Sequence, residues 1–198
     1  MNTRLYLCRH GEVDGAGAMR YNGHKDVAMT ARGVAQMETL RDRLVRERIT
    51  GIFSSDLSRA SIGAAIIGGP HGLKAASIPA LRERNIGVWE GLTWDEIKGR
   101  WPEQWAAWIG DIVNFKPEGG ESLLELSARI IPALEKLIAD NAGGDIVLVG
   151  HGGVNRVILS HLLGMPLGRI FSIEQNFGCL NIIDFHEDGI PVVNLLNG

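Results

Sequence analysis

Residues 145–153, Asp145-Ile146-Val147-Leu148-Val149-Gly150-His151-Gly152-Gly153, decide the fold class. Four consecutive large apolar side chains, bounded by Asp145 and a glycine-rich exit, have the length and composition of a strand buried on both faces. Such a run belongs to a parallel sheet covered by helices, because a strand with one wet face would alternate apolar and polar residues. Near the N-terminus, Leu5-Tyr6-Leu7-Cys8 repeats the pattern and leaves through Arg9-His10-Gly11.

Working outward, helical and strand patterns alternate. Thr30 is placed to cap a helix reaching about Ile49, with Val34, Met37, Leu40, Leu44 and Val45 as its apolar stripe. A strand follows over Gly51–Ser54, then a helix from Leu57 to about Ile67 and a short strand over Ala75–Ile78. The stretch Trp89 to Trp108 reads as irregular, then helical. A long helix is expected from Glu121 to Asn141, with Ser122 and Glu125 at capping-box spacing and Pro132 kinking or breaking it. Residues 153–163 return to helix, and Leu180–Phe185 and Pro191–Leu195 read as closing strands. The alternation predicts a three-layer α/β/α fold with a mostly parallel central sheet. Without repeats or linkers, residues 1–198 read as one domain, with a small helical cap over about 85–120.

Composition narrows the function. The 198 residues are 45% hydrophobic and 22% charged, as in ordinary soluble globular proteins, and the net charge is −3. There is no basic field to attract nucleic acid or an anionic membrane, and no run long enough to span a bilayer. Met1-Asn2-Thr3-Arg4 does not open a signal peptide, so a cytoplasmic setting is expected, with Cys8 and Cys179 as reduced, buried thiols. The six histidines lack a close pair at zinc-ligand spacing, and there is no Cys-x-x-Cys. Neither metal nor other cofactor is expected. An anionic small-molecule partner would need a local cluster of arginines instead; a homodimer is left open.

In open α/β sheets the ligand crevice lies beyond the carboxyl ends of the strands. One strand ending in His-Gly is an ordinary turn. Two, with Arg9 beside one of them, put His10 and His151 at the same edge to face a small anion. Arginine matches phosphoryl oxygens bidentately, and Arg9 and Arg59, the latter just after the strand ending at Ser54, are the candidate forks. A departing alkoxide needs a proton. Glu83 follows the short strand, but spacing alone does not favour it over Glu12 or Glu121.

Taken together, these segments resemble the histidine phosphatase superfamily, the phosphoglycerate mutase-like fold. The resemblance is carried by Arg9-His10-Gly11-Glu12, Tyr21-Asn22-Gly23-His24-Lys25-Asp26, Thr30-Ala31-Arg32-Gly33 and Ser54-Ser55-Asp56-Leu57-Ser58-Arg59-Ala60. Leu81-Arg82-Glu83, Gly87-Val88-Trp89-Glu90-Gly91, Gly119-Gly120-Glu121-Ser122 and Gly150-His151-Gly152-Gly153 complete it in the family's order. It implies that His10 becomes a phosphohistidine and that Glu83 is the proton donor. Arg9, Arg59 and a protonated His151, with Gly152, form the phosphate pocket, and no metal is used. One departure is Ala16, where many members carry an asparagine that helps hold phosphate. Asn22 and Gly23 are the nearby residues able to compensate, through side-chain and backbone donors.

Cofactor-dependent mutases of this family generally carry a basic lid after the proton donor. Here about 35 residues separate Glu83 from Gly119, and they are aromatic rather than basic, which favours water as acceptor. Trp101, Trp105 and Trp108 share one helical face and read as packing for the cap. Trp89 and Trp94 are the candidates to wall the pocket and stack on an aromatic leaving group. The chain resembles α-ribazole phosphatases in length and in Gln175-Asn176-Phe177-Gly178-Cys179-Leu180-Asn181. Phosphoserine and sugar phosphatases and a phosphoglycerate mutase remain alternatives. A non-catalytic phosphate-binding module is the remote one, since nucleophile and acid are both present.

Overall fold

The computed structural model describes residues 2–198. In chain order it contains β1 (Thr3–Arg9), α1 (Ala31–Leu44), β2 (Ile49–Ser54), α2 (Ser58–Gly68) and β3 (Ala76–Ser77). There follow α3 (Trp94–Arg100), α4 (Pro102–Gly110), α5 (Leu123–Asp140), β4 (Asp145–Gly150), α6 (Gly152–Leu162), β5 (Leu180–Phe185) and β6 (Pro191–Leu195). The six strands form one sheet in the order β3-β2-β4-β1-β5-β6. β3, β2, β4 and β1 are parallel, while β5 and β6 run antiparallel at one side. This is the three-layer, mostly parallel α/β architecture that the apolar run at 146–149 calls for.

Side-chain alternation divides the core between the two faces of the sheet. Leu5, Leu7, Ile146 and Leu148 pack against Leu126, Ile130 and Leu134 of α5 and Val154, Val157 and Ile158 of α6. Tyr6, Cys8, Val147 and Val149 meet Met37 and Leu40 of α1 and Ala60, Ala64 and Ile67 of α2. Both faces of β1 and β4 are therefore dry, which is why these strands read as continuous apolar runs. Cys8 and Cys179 are free and buried.

Two boundaries differ from expectation. Helix α1 stops at Leu44, and β2 starts at Ile49, where a helix end had been expected. Past Leu44 the next inward turn would present Glu47 and Arg48, so the apolar stripe lapses, and Val45 is exposed. Helix α5 runs unbroken through Pro132. Pro132 and Ala128 are both exposed, so the carbonyl that loses its i+4 partner can turn to water. The Ser122–Glu125 capping box forms as the spacing predicts.

Candidate active site

Register brings the two histidines together. β1 pairs with β4 so that Arg9 lies opposite Gly150, and His10 and His151 then leave the sheet side by side. Their ring centroids are 5.2 Å apart, with the planes at 64°. Ser55 leaves β2 beside them, since Ser54 is opposite Val149. The two histidines thus stand together at the carboxyl edge of the parallel strands.

His10 is 4% exposed, and its Nδ1 lies 2.8 Å from the Gly11 carbonyl. A carbonyl only accepts, so Nδ1 carries the proton and Nε2 keeps its lone pair. Burial, then the charges of Arg9 and Arg59, hold His10 well below the ordinary imidazole range. It is a neutral base with a fixed tautomer. His151 is fully buried and also held well below that range, by desolvation first and then by His10, Arg59 and Arg9. The cationic His151 expected from the resemblance is therefore not the resting form.

The two arginines are fixed by neutral partners. Arg9 donates to the Gln175 carbonyl at 2.6 Å and lies over the Phe177 ring, 3.8 Å from its centroid. Its Nε is buried without a partner, and desolvation pushes the guanidinium down to about 10. Arg59, 1% exposed, donates to the carbonyls of Lys25, Gly23 and Asn22 at 2.9, 2.7 and 3.3 Å. Among the described residues neither has a carboxylate within ion-pair distance. Two desolvated cations whose carboxylates stand off beyond ion-pair distance favour the arrival of an anion.

Of the three candidate carboxylates, geometry selects Glu83. Glu12 is tied to Thr30 and Arg32, and Glu121 to Arg129. Glu83 instead lines the cavity that contains Arg9, His10 and Arg59. Its oxygens accept the Arg84 and Gly153 N–H groups at 2.8 and 2.9 Å. A Cβ on Gly153 would collide with Glu83 Oε1, so only glycine admits the carboxylate there.

The cavity has a volume of about 450 Å³. Beyond the charged groups it is walled by Tyr21, Trp89, Trp94, Trp108 and Phe171. Trp89 and Trp94 thus stand where the sequence put them. The tryptophan stripe is not one helix, however: the chain breaks at Trp101, where Pro102 disfavours helical backbone in the preceding residue. Trp94, Trp105 and Trp108 converge from the two short helices, with centroids 4.8 to 5.1 Å apart. Ala16, Asn22, Gly23 and Gly152 also line the cavity. Gly23 does not supply the backbone donor expected of it, because its N–H is given to Glu90 at 3.0 Å.

The sequence profile of the histidine phosphatase superfamily (branch 1) matches residues 5–198. The chain belongs to this superfamily. It is 29% identical to the adenosylcobalamin/α-ribazole phosphatase of Salmonella typhimurium, covering 98% of this chain and 96% of that one. It is 35% identical to a probable phosphoglycerate mutase GpmB of Yersinia pestis, covering 93% and 86%. Among solved structures, a putative α-ribazole-5'-P phosphatase from Escherichia coli superposes with a TM-score of 0.92 at 27% identity, over 99% and 96% of the chains. A mycobacterial glucosyl-3-phosphoglycerate phosphatase in complex with VO3 gives 0.88 at 28% identity, over 98% and 99%. This histidine phosphatase is a phosphoric monoester hydrolase.

Sequence reasoning left three groups at the site unassigned. Ser55 lies 2.7 Å from His151, and Glu90 accepts three N–H groups of the loop that Arg59 grips. Arg156, anchored by Nε to the Ile173 carbonyl, also lines the cavity. Ser55 and Glu90 sit inside segments that carry the family resemblance, but nothing in their spacing tells a buried polar partner from a turn residue. Arg156 lies four residues after Gly152, one helical turn along the same face.

Proposed function

We propose that this histidine phosphatase cleaves a small phosphorylated metabolite by two in-line displacements through a phosphohistidine at His10. Neutral His10 attacks phosphorus through Nε2, while Gly11 holds the other ring nitrogen. Arg9 and Arg59 meet the charge that spreads over the equatorial oxygens, and His151 adds a donor beneath them. Glu83 protonates the leaving oxygen, then as a carboxylate takes a proton from water as that water attacks the phosphohistidine. Gly152 lets the guanidinium of Arg9 approach the start of α6, whose N-terminus favours the anion.

The observation that carries this reading is the conjunction at one strand edge. A neutral histidine of fixed tautomer lies beside two desolvated guanidiniums with no carboxylate at ion-pair distance among the described residues, and Glu83 lines the same cavity. We take residues 1–198 as one catalytic domain with the aromatic segment of about 85–120 as its cap. The aromatic wall and the α-ribazole phosphatase relatives favour α-ribazole 5'-phosphate, hence a place in cobalamin assembly. The mutase-named relatives at 35% identity favour a second reading, transfer between hydroxyls of phosphoglycerate.

Rapid quench with phosphate-labelled substrate tests the chemistry: label on His10 should be acid-labile and base-stable, and absent from an inactive His10→Ala variant. A panel containing α-ribazole 5'-phosphate, phosphoserine, sugar phosphates and 3-phosphoglycerate tests the substrate. Release of inorganic phosphate supports the hydrolase reading, whereas phosphate returned to another hydroxyl of the same molecule supports the mutase. An active, unlabelled His10→Ala enzyme refutes both.

A further inference from the structure

His151 has two ring nitrogens in different circumstances. Nε2 lies 2.7 Å from Ser55 Oγ, and Nδ1 is buried with no partner among the described residues. Both residues are wholly buried. The neutral ring carries one proton, and its location decides what His151 can offer a ligand.

Suppose first that the proton sits on Nε2 and is donated to Ser55. Nδ1 is then a bare acceptor on a ring whose centroid is 5.2 Å from that of His10, and a phosphoryl group bound at His10 has only acceptors to present. The Ser55 hydroxyl proton is also stranded, because the other bond at Ser55 Oγ is accepted, from the Leu57 N–H at 3.4 Å. In the alternative, the Ser55 hydroxyl donates to Nε2 while still accepting from Leu57, and Nδ1 carries the proton. Every polar group of the pair is then used except one N–H, and that donor is the group a phosphoryl oxygen requires. This donor is uncharged, which suits a site where Arg9 and Arg59 already have no carboxylate at ion-pair distance among the described residues.

We propose that Ser55 is a positioning residue for phosphoryl transfer: its hydroxyl donates to His151 Nε2 and fixes the Nδ1–H tautomer that hydrogen-bonds a bound phosphoryl oxygen. The role rests on the phosphotransfer reading above; the tautomer does not. Ser55 comes to this place because the first residue past β2 lies beside the first residue past β4 in a parallel pair. Its neighbour Ser54, 1% exposed with an unpartnered hydroxyl, serves as the control.

The test is long-range proton–nitrogen spectroscopy of the protein labelled with 15N-histidine, with orthovanadate titrations and steady-state kinetics. At neutral pH the wild-type protein should give His151 a protonated Nδ1 and a bare Nε2. Ser55→Ala should shift the ring toward the other tautomer and weaken vanadate binding and kcat/KM roughly ten- to a hundredfold, as expected for one hydrogen bond to a charged group. Ser55→Thr should restore all three readouts, and Ser54→Ala should leave them unchanged. A protonated Nε2 in the wild-type protein overturns the proposal, and that readout needs no variant to fold. So does a folded Ser55→Ala protein with unaltered tautomer and vanadate affinity. A protonated Nδ1 in a wild-type protein that neither binds vanadate nor forms a phosphohistidine would instead overturn the His10 reading and leave the tautomer assignment standing.

Discussion

Arg59 and Glu90 hold the same loop from opposite sides. Glu90 accepts the N–H groups of Gly23, His24 and Lys25 at 3.0, 2.7 and 3.3 Å, and Arg59 donates to the carbonyls of Asn22, Gly23 and Lys25. The two side chains make no direct ion pair; two peptide units, Asn22–Gly23 and Gly23–His24, are held by both. The loop turns its donors to an anion and its acceptors to a cation, so both charges polarise the same peptides. Arg59 is thereby fixed without a carboxylate neutralising it, which leaves its charge for a ligand.

Glu90→Ala should therefore act on catalysis through Arg59. Three N–H groups lose a charged acceptor, and each such bond contributes about 1.5–3 kcal/mol before the loop relaxes. The expected result is a fall in kcat/KM of roughly ten- to a hundredfold with a lowered thermal midpoint, and a smaller loss for Glu90→Gln, which keeps one carbonyl acceptor. Steady-state kinetics beside thermal denaturation measures both. Unchanged kcat/KM in a destabilised Glu90→Ala protein would mean that the loop does not position Arg59.

Replacing Glu83 should produce a defect that depends on the leaving group. Only poor leaving groups need a proton, so Glu83→Gln should lower phosphorylation of His10 by about 10²–10⁴ with alkyl phosphates and far less with p-nitrophenyl phosphate. Single-turnover rates across a series of leaving-group acidities measure this. Equal losses at both ends of the series would assign Glu83 a structural role through Gly153.

The sheet was legible because its central strands are dry on both faces, so the runs at 5–8 and 146–149 announce themselves without context. The histidine pair was legible for the same reason, since each His-Gly step ends one of those runs. Glu83 was not, because what separates it from Glu12 and Glu121 is which carboxylate meets an arginine and which meets the cavity. Those partners, Thr30 for Glu12 and Arg129 for Glu121, are set by how the chain folds and not by spacing. The neutral resting form of His151 was not legible because it depends on burial and on four neighbouring groups, His10, Arg59, Arg9 and Arg129, which the fold brings to it. The break at Trp101 was missed although Pro102 announces it; the tryptophan spacing suggested a continuous stripe that the backbone does not follow.

Stability should fall as the pH drops below neutral. His10 and His151 have folded pKa values well below the unfolded value of about 6.5, so below that value the unfolded chain binds more protons than the native one. Their contribution is present above about 6.5 and is lost as the pH falls toward the depressed folded values, at up to about 1.4 kcal/mol per pH unit for each ring. Urea unfolding between pH 7.5 and 5.5, compared with a His10→Asn variant of reduced slope, measures it. A pH-independent unfolding free energy over this range would mean that the rings are not shielded as described.

The aromatic wall should separate stability from substrate preference. Trp108 is 9% exposed and touches Trp89, Trp94 and Trp105, so Trp108→Ala should cost about 3–5 kcal/mol and loosen the cap as a whole. Phe171 also lines the cavity, but it is 51% exposed. Phe171→Ala should change stability by less than about 0.5 kcal/mol. If Phe171 contacts the leaving group, the same variant should raise KM severalfold for naphthyl or benzimidazole-bearing phosphates and leave small alkyl phosphates unaffected. Paired KM values for an aromatic and an alkyl substrate, beside denaturation curves for both variants, decide the matter. A uniform KM across leaving groups would restrict the aromatic residues to packing the cap, and it would remove the aromatic wall from the case for α-ribazole 5'-phosphate.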